Sequence, residues 1–87
     1  MDLMDDFRKC LRELVAEYGM APEEINNGYC ADFATVIGDT WRVEILSDED
    51  MGSNEYTHTF IRFRGRYYDA EAIDGVDDWK DLPIFKR

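Results

Sequence analysis

Between Asp2 and Tyr18 the apolar residues Leu3, Phe7, Cys10, Leu11, Leu14, Val15 and Tyr18 recur at intervals of three and four, with charged residues between them. That spacing gathers the apolar side chains on one face of a helix. Asp2 is its expected cap, Asp5 and Asp6 fill its first turn, and Gly19 is its left-handed stop. "APEEI" predicts a short helical turn opened by Pro22, and "NNG" predicts a break, since asparagine and glycine accept left-handed backbone angles. From Cys30 the pattern Cys30, Phe33, Ala34, Ile37 is helical again, and Gly38 is the expected end after about two and a half turns.

The pattern then changes period. "TWRVEIL" and "YTHTFIRFRGRYYDAEA" are rich in β-branched and aromatic residues that alternate in type, and they predict strands. "SDEDMGSNE" between them reads as an exposed loop. The tail "IDGVDDWKDLPIFKR" has turn chemistry at Asp74 and Gly75, one helical turn about Asp77 to Lys80 and a break at Pro83. Its Trp79, Leu82, Ile84 and Phe85 are expected to dock on the core. The sum is an α+β fold with an N-terminal amphipathic helix, a short helix bearing Cys30 and a small antiparallel sheet of about three strands, in a single domain over residues 1–87. An apolar content of 45%, with 14% aromatic residues, supplies that core without disulfides or metal.

Charge and cysteine usage narrow the function classes. Twenty acidic residues against ten basic leave a formal net charge of −10, which disfavours direct binding to nucleic acid and favours a basic protein or peptide partner. Two cysteines, one of them in the apolar stripe of the first helix, make no disulfide framework. The N-terminal "MDLMDDF" has no positive leader, and no apolar run approaches a membrane span, so a cytoplasmic, non-membrane setting is expected, the host cytoplasm if a phage encodes the chain. No metal site is expected, because one histidine, two cysteines and scattered acids lack ligand spacing for zinc or an EF-hand calcium loop. No cofactor is expected either, since there is no glycine-rich phosphate loop.

The remaining chemistry is one cysteine at a helix start and one histidine. A two-residue hairpin loop at Arg64 and Gly65 makes Phe63 face Arg66, Phe60 face Asp69 and His58 face Glu71. Side chains alternate along a strand, so His58 and Asp69 then project from the same face as diagonal neighbours. A three-residue loop would put them on opposite faces.

The order of a cysteine at a helix start, a histidine on a strand and an aspartate on the next strand resembles the papain-like and transglutaminase-like superfamily of cysteine proteases and acyltransferases. The residues that carry the resemblance are "GYCADFA" around Cys30, "THTF" around His58 and "RYYDAEA" around Asp69, with "GVDDWKDLPIF" similar to the closing segment of small phage and bacterial members. The resemblance implies Cys30 as nucleophile, His58 as base and Asp69 as the group that orients the imidazole. It also implies an oxyanion site at the Cys30 amide with help from Asn26 or Asn27, near the position where papain carries a glutamine.

The activity so implied is that of a thiol hydrolase or acyltransferase working on an amide, isopeptide or thioester. Its rival is a non-catalytic acidic binding protein, an inhibitor or DNA mimic that occupies a basic nucleic-acid-binding surface with Asp48, Glu49, Asp50, Asp74, Asp77, Asp78 and Asp81. A toxin or antitoxin component is a third reading.

Overall fold

A computed structural model describes residues 2–86. Helix α1, Leu3–Tyr18, is the amphipathic element that its spacing requires: Asp2 accepts the Met4 amide at 3.0 Å, and Gly19 takes a left-handed φ of 66°. Its buried residues Phe7 and Leu11 lie one turn apart. Helix α2, Pro22–Gly28, runs through Asn26, Asn27 and Gly28 instead of stopping at them. The chain turns one residue later, at Tyr29, whose amide still bonds Ile25 at 2.7 Å. Burial of Ile25 and Asn26 holds this last turn helical and overrides the weak helix propensity of "NNG".

Helix α3, Cys30–Trp41, is longer than expected. Gly38 lies inside it, and the stop is Arg42 at a left-handed φ of 54°. Gly38 serves packing: a Cβ there would lie 2.5 Å from Ile45 Cδ1, so its absence lets α3 close on the first strand. Thr40 and Trp41, expected to begin a strand, belong to this helix.

Strands β1 (Glu44–Ser47), β2 (Thr59–Phe63) and β3 (Arg66–Tyr68) form an antiparallel sheet in that order. Phe63 pairs with Arg66 across a two-residue loop, with φ of 53° at Arg64 and 77° at Gly65. Two consecutive positive φ values are the type I′ signature, which suits the right-handed twist of the flanking strands. The β2–β3 ladder ends at Ile61 opposite Tyr68. His58 and Asp69 are therefore not strand residues, as expected from sequence, but stand just beyond the two strand ends. The fold is α+β.

Strand alternation divides the apolar residues into two clusters. Ile61, Phe63 and Tyr68 join the helices, where Phe7 meets Phe63 at 4.5 Å, Tyr68 at 5.0 Å and Trp41 at 5.3 Å between ring centroids. Phe60, one residue out of phase, meets the tail instead: Trp79 stacks on it at 6.2 Å, and Phe85 lies edge-on to both. Asp78 caps a 3-10 turn at Trp79–Asp81, Leu82 is fully buried, and Pro83–Phe85 form a second such turn. Among the described residues no helix is long and apolar enough to cross a membrane.

Candidate active site

The start of β2 meets the start of α3, and this junction brings the sequence-predicted triad together. His58 is fully buried, and its Nε2 lies 2.9 Å from Oδ2 of Asp69, itself 2% exposed. The other oxygen of Asp69 accepts the amides of Glu71 at 2.9 Å and Ala72 at 2.8 Å. These bonds form an Asx turn, so the chain leaves the strand direction at Asp69 and Glu71 does not come to face His58. The carboxylate is thus fixed by its own backbone and meets the imidazole with the oxygen that remains.

Two further elements hold the imidazole. Phe85 stands edge-on to it at 5.9 Å and Phe60 lies at 6.2 Å, so the tail closes over the ring and keeps it dry. From the backbone side, the carboxylate of Asp48 receives the Thr57 amide at 2.9 Å and the His58 amide at 3.3 Å. Burial of Asp48 works against its charge, but these amides outweigh it and hold its pKa below the ordinary carboxylate value. Asp48 was expected on an exposed acidic face. It is instead a buried clamp across the β1–β2 connection, 3% exposed. A serine-aspartate pair leaving a strand is the one signal of this role in the sequence, because aspartate readily bonds nearby amides in place of the ladder.

Cys30 is partly exposed and occupies the first position of α3. Its partial burial raises the thiol pKa, yet the His58 imidazole and the backbone amides of Thr59 and Ala31 outweigh that and lower it below the ordinary value. The coupling is mutual. Burial alone would depress the His58 pKa, but the bond to Asp69 and the adjacent Cys30 lift it to about 9. Nε2 is taken by Asp69, and Nδ1 makes no hydrogen bond in this conformation, which leaves it as the ring nitrogen that can take the thiol proton. Each group thus favours the charged form of the other, the thiolate and the imidazolium.

Of the two asparagines, Asn27 is exposed, while Asn26 is 2% exposed with neither its amide nitrogen nor its oxygen hydrogen-bonded. An amide idle at both ends costs about 1–3 kcal/mol to bury, and Asn26 lies four residues before Cys30. The first amides of a helix also lack intrahelical partners, so α3 presents the Cys30 amide beside its own sulfur.

The acids expected to form a binding face are largely engaged within the chain. Besides Asp48, Asp50 accepts the Ser47 amide, Asp77 pairs with Arg66 at 2.7 Å, Asp78 caps Lys80 and Asp81 pairs with Lys86 at 3.0 Å. Glu49 and Asp74 are exposed. A cavity of about 360 Å³ is lined by Arg12, Val15, Ala16, Pro22, Ala70, Glu71 and Ile73. It contains none of the triad, although its wall begins at the residue after Asp69. Among the described residues no group of three or more histidine, cysteine or acidic side chains is placed to hold a metal ion. The chain matches no family model, no curated protein and no solved structure.

Proposed function

We propose that the protein is a thiol hydrolase or acyltransferase that acts on an amide, isopeptide or thioester through an acyl-enzyme at Cys30. The observation that carries this reading is the buried His58, bonded through Nε2 to Asp69 at 2.9 Å with Nδ1 left unbonded, and with a partly exposed cysteine at a helix start as its electrostatic neighbour. Structural histidines are commonly satisfied on both nitrogens or solvated. This one is oriented by a carboxylate on one side and reserved for a thiol on the other, the relation that activates a nucleophile.

The chemistry follows from the geometry. The Cys30 thiolate attacks the carbonyl carbon, a C–S bond forms, and the carbonyl electron pair moves onto oxygen, for which we assign the Cys30 amide as donor and the Asn26 side chain, four residues earlier, as the second. Collapse of that intermediate breaks the C–N or C–S bond to the leaving group, which takes its proton from the His58 imidazolium. The neutral imidazole then accepts a proton from water or from an acceptor amine. That nucleophile attacks the thioester and releases Cys30 as the thiolate, and His58 is again an imidazolium. Asp69 keeps the ring in the tautomer that directs Nδ1 to sulfur throughout. The triad order of the papain-like and transglutaminase-like resemblance supports the same roles.

The test is acyl capture. p-Nitrophenyl acetate should release nitrophenolate catalytically and leave one acetyl group on the peptide that contains Cys30, as read by mass spectrometry. Both signals should vanish in Cys30→Ala and fall steeply in His58→Ala. Equal acetylation of Cys10 and Cys30, or turnover that survives Cys30→Ala, contradicts the reading. The acidic-mimic alternative gains nothing from the structure, since five of its seven carboxylates already have partners inside the chain.

A further inference from the structure

One buried residue ties both ends of the connection between β1 and β2. The ladder of these strands ends at Ser47 opposite Thr59. Just beyond it the Asp48 carbonyl turns to the outgoing chain and accepts the Met51 amide at 3.0 Å and the Ser53 amide at 3.1 Å. The Asp48 carboxylate takes the returning chain. Its Oδ1 accepts the Thr57 amide at 2.9 Å and the His58 amide at 3.3 Å, and its Oδ2 lies 3.1 Å from the Thr57 nitrogen. A side chain therefore does for His58 what strand pairing does for the residues that follow it.

Successive amides along an extended chain point to opposite edges. With the His58 amide held on the β1 side, the next amide, that of Thr59, turns to the other edge. No strand receives it there, since the β2–β3 ladder ends at Ile61 opposite Tyr68. The group it meets is the Cys30 sulfur at the start of α3, and it is one of the groups that lower the thiol pKa. The imidazole that lowers it as well stands on the residue before. Both influences on the sulfur thus come from the short stretch of backbone that Asp48 grips.

We propose that Asp48 is a positioning residue of the reaction: by holding the Thr57 and His58 amides it sets the backbone of residues 57–59, so that the His58 ring and the Thr59 amide address Cys30 together. The inference rests on the acyl-transfer reading and adds to its triad a second buried carboxylate that acts only through the main chain. Without that carboxylate two amides lose their acceptor, and residues 57 and 58 must turn to find another. The Thr59 amide and the imidazole then leave the sulfur by the same movement.

The test is the pH profile of Cys30 alkylation by iodoacetamide, read by peptide-resolved mass spectrometry in the wild type, Asp48→Ala, Asp48→Asn and Asp50→Ala, each shown to be folded by circular dichroism. Asp48→Ala should raise the Cys30 inflection by about one unit, so that labelling well below it slows about tenfold. Asp48→Asn should stay close to wild type, because both amides bond the same oxygen, Oδ1, and an asparagine oxygen can take its place. Asp50→Ala removes a carboxylate from the same connection, one that holds the Ser47 amide at 2.9 Å instead, and should leave the inflection where it is. If Asp48→Ala does not fold, Asp48→Ser, whose hydroxyl ends one bond short of the two amides, carries the same expectation. A folded Asp48→Ala or Asp48→Ser with a low, wild-type inflection overturns the inference and leaves the triad standing. An equal shift in Asp50→Ala, or one in Asp48→Asn as large as in Asp48→Ala, overturns it too. A wild-type inflection at the ordinary thiol value, unchanged in His58→Ala, removes the acyl-transfer reading and this inference with it.

Discussion

Asp69→Asn isolates the charge of the triad carboxylate, because an asparagine oxygen can still accept the Glu71 and Ala72 amides that form the Asx turn. What changes lies on the other side. The amide nitrogen now donates to His58 Nε2, so the ring must carry its proton on Nδ1 and can no longer accept one from Cys30. The stability effect follows from linkage. His58 has a pKa of about 9 in the fold against about 6.5 in an unfolded chain, a difference worth about 3 kcal/mol when fully expressed. A raised folded pKa stabilises fully below the unfolded value and loses that contribution as pH rises through about 9. Part of the rise belongs to Cys30, so Asp69→Asn should cost about 2–3 kcal/mol at pH 6. Near pH 10, with the ring neutral in both proteins, the cost should shrink to about 1 kcal/mol or less. Urea unfolding of both proteins at the two pH values measures this, and acyl transfer at pH 7 should fall by roughly 10³–10⁴ from the wrong tautomer. An unfolding cost equal at pH 6 and pH 10 refutes the charged pair, and unchanged activity refutes the tautomer argument.

Asn26→Leu removes a buried amide with no partner and should raise unfolding stability by about 1–2 kcal/mol, while acyl transfer falls by on the order of 10²; a variant that loses stability and keeps its activity would make Asn26 an ordinary core residue. Asp48→Ala should cost about 2–3 kcal/mol at neutral pH, since two amides lose a charged acceptor. In the wild type that contribution is present above the unfolded carboxyl pKa of about 3.9 and is lost as pH falls through the lowered folded value, so the two proteins should converge in acid denaturation. Gly75→Ala should cost about 2–4 kcal/mol, from a φ of 83° and from a new Cβ 2.7 Å from the Tyr68 ring, and a thermal melt within a degree of wild type would contradict the packing described at that turn.

The parts of this fold that were legible in the sequence are those decided by short-range chemistry. The α1 stripe carries its own cap and stop. Arg64 and Gly65 set a two-residue turn, and strand alternation then fixed which side chains shared the face of His58. The parts that were not legible depend on contacts between distant segments. Gly38 looks like a helix stop until Ile45 is seen against it. "NNG" looks like a break until Ile25 and Asn26 are buried. Asp48 is indistinguishable from its acidic neighbours until the Thr57 and His58 amides return to it nine and ten residues later. The same holds for the cover on the imidazole, since nothing local to "PIF" says that Phe85 will lie against His58. The site was therefore readable as a set of three residues but not as an environment, and the environment is what shifts their proton affinities.

The pH dependence of Cys30 alkylation tests the central claim most directly. Iodoacetamide labelling is followed peptide by peptide from about pH 5 to 10 in the wild type and in His58→Ala, with Cys10 as the internal reference thiol. A thiolate stabilised by the imidazolium and by the Thr59 and Ala31 amides should react at neutral pH well ahead of Cys10, with its inflection below that of an ordinary thiol of about 8.5. That inflection should move up towards the ordinary value in His58→Ala. A Cys30 profile that rises only with the ordinary thiol ionisation, and that is the same with and without His58, would contradict an activated nucleophile.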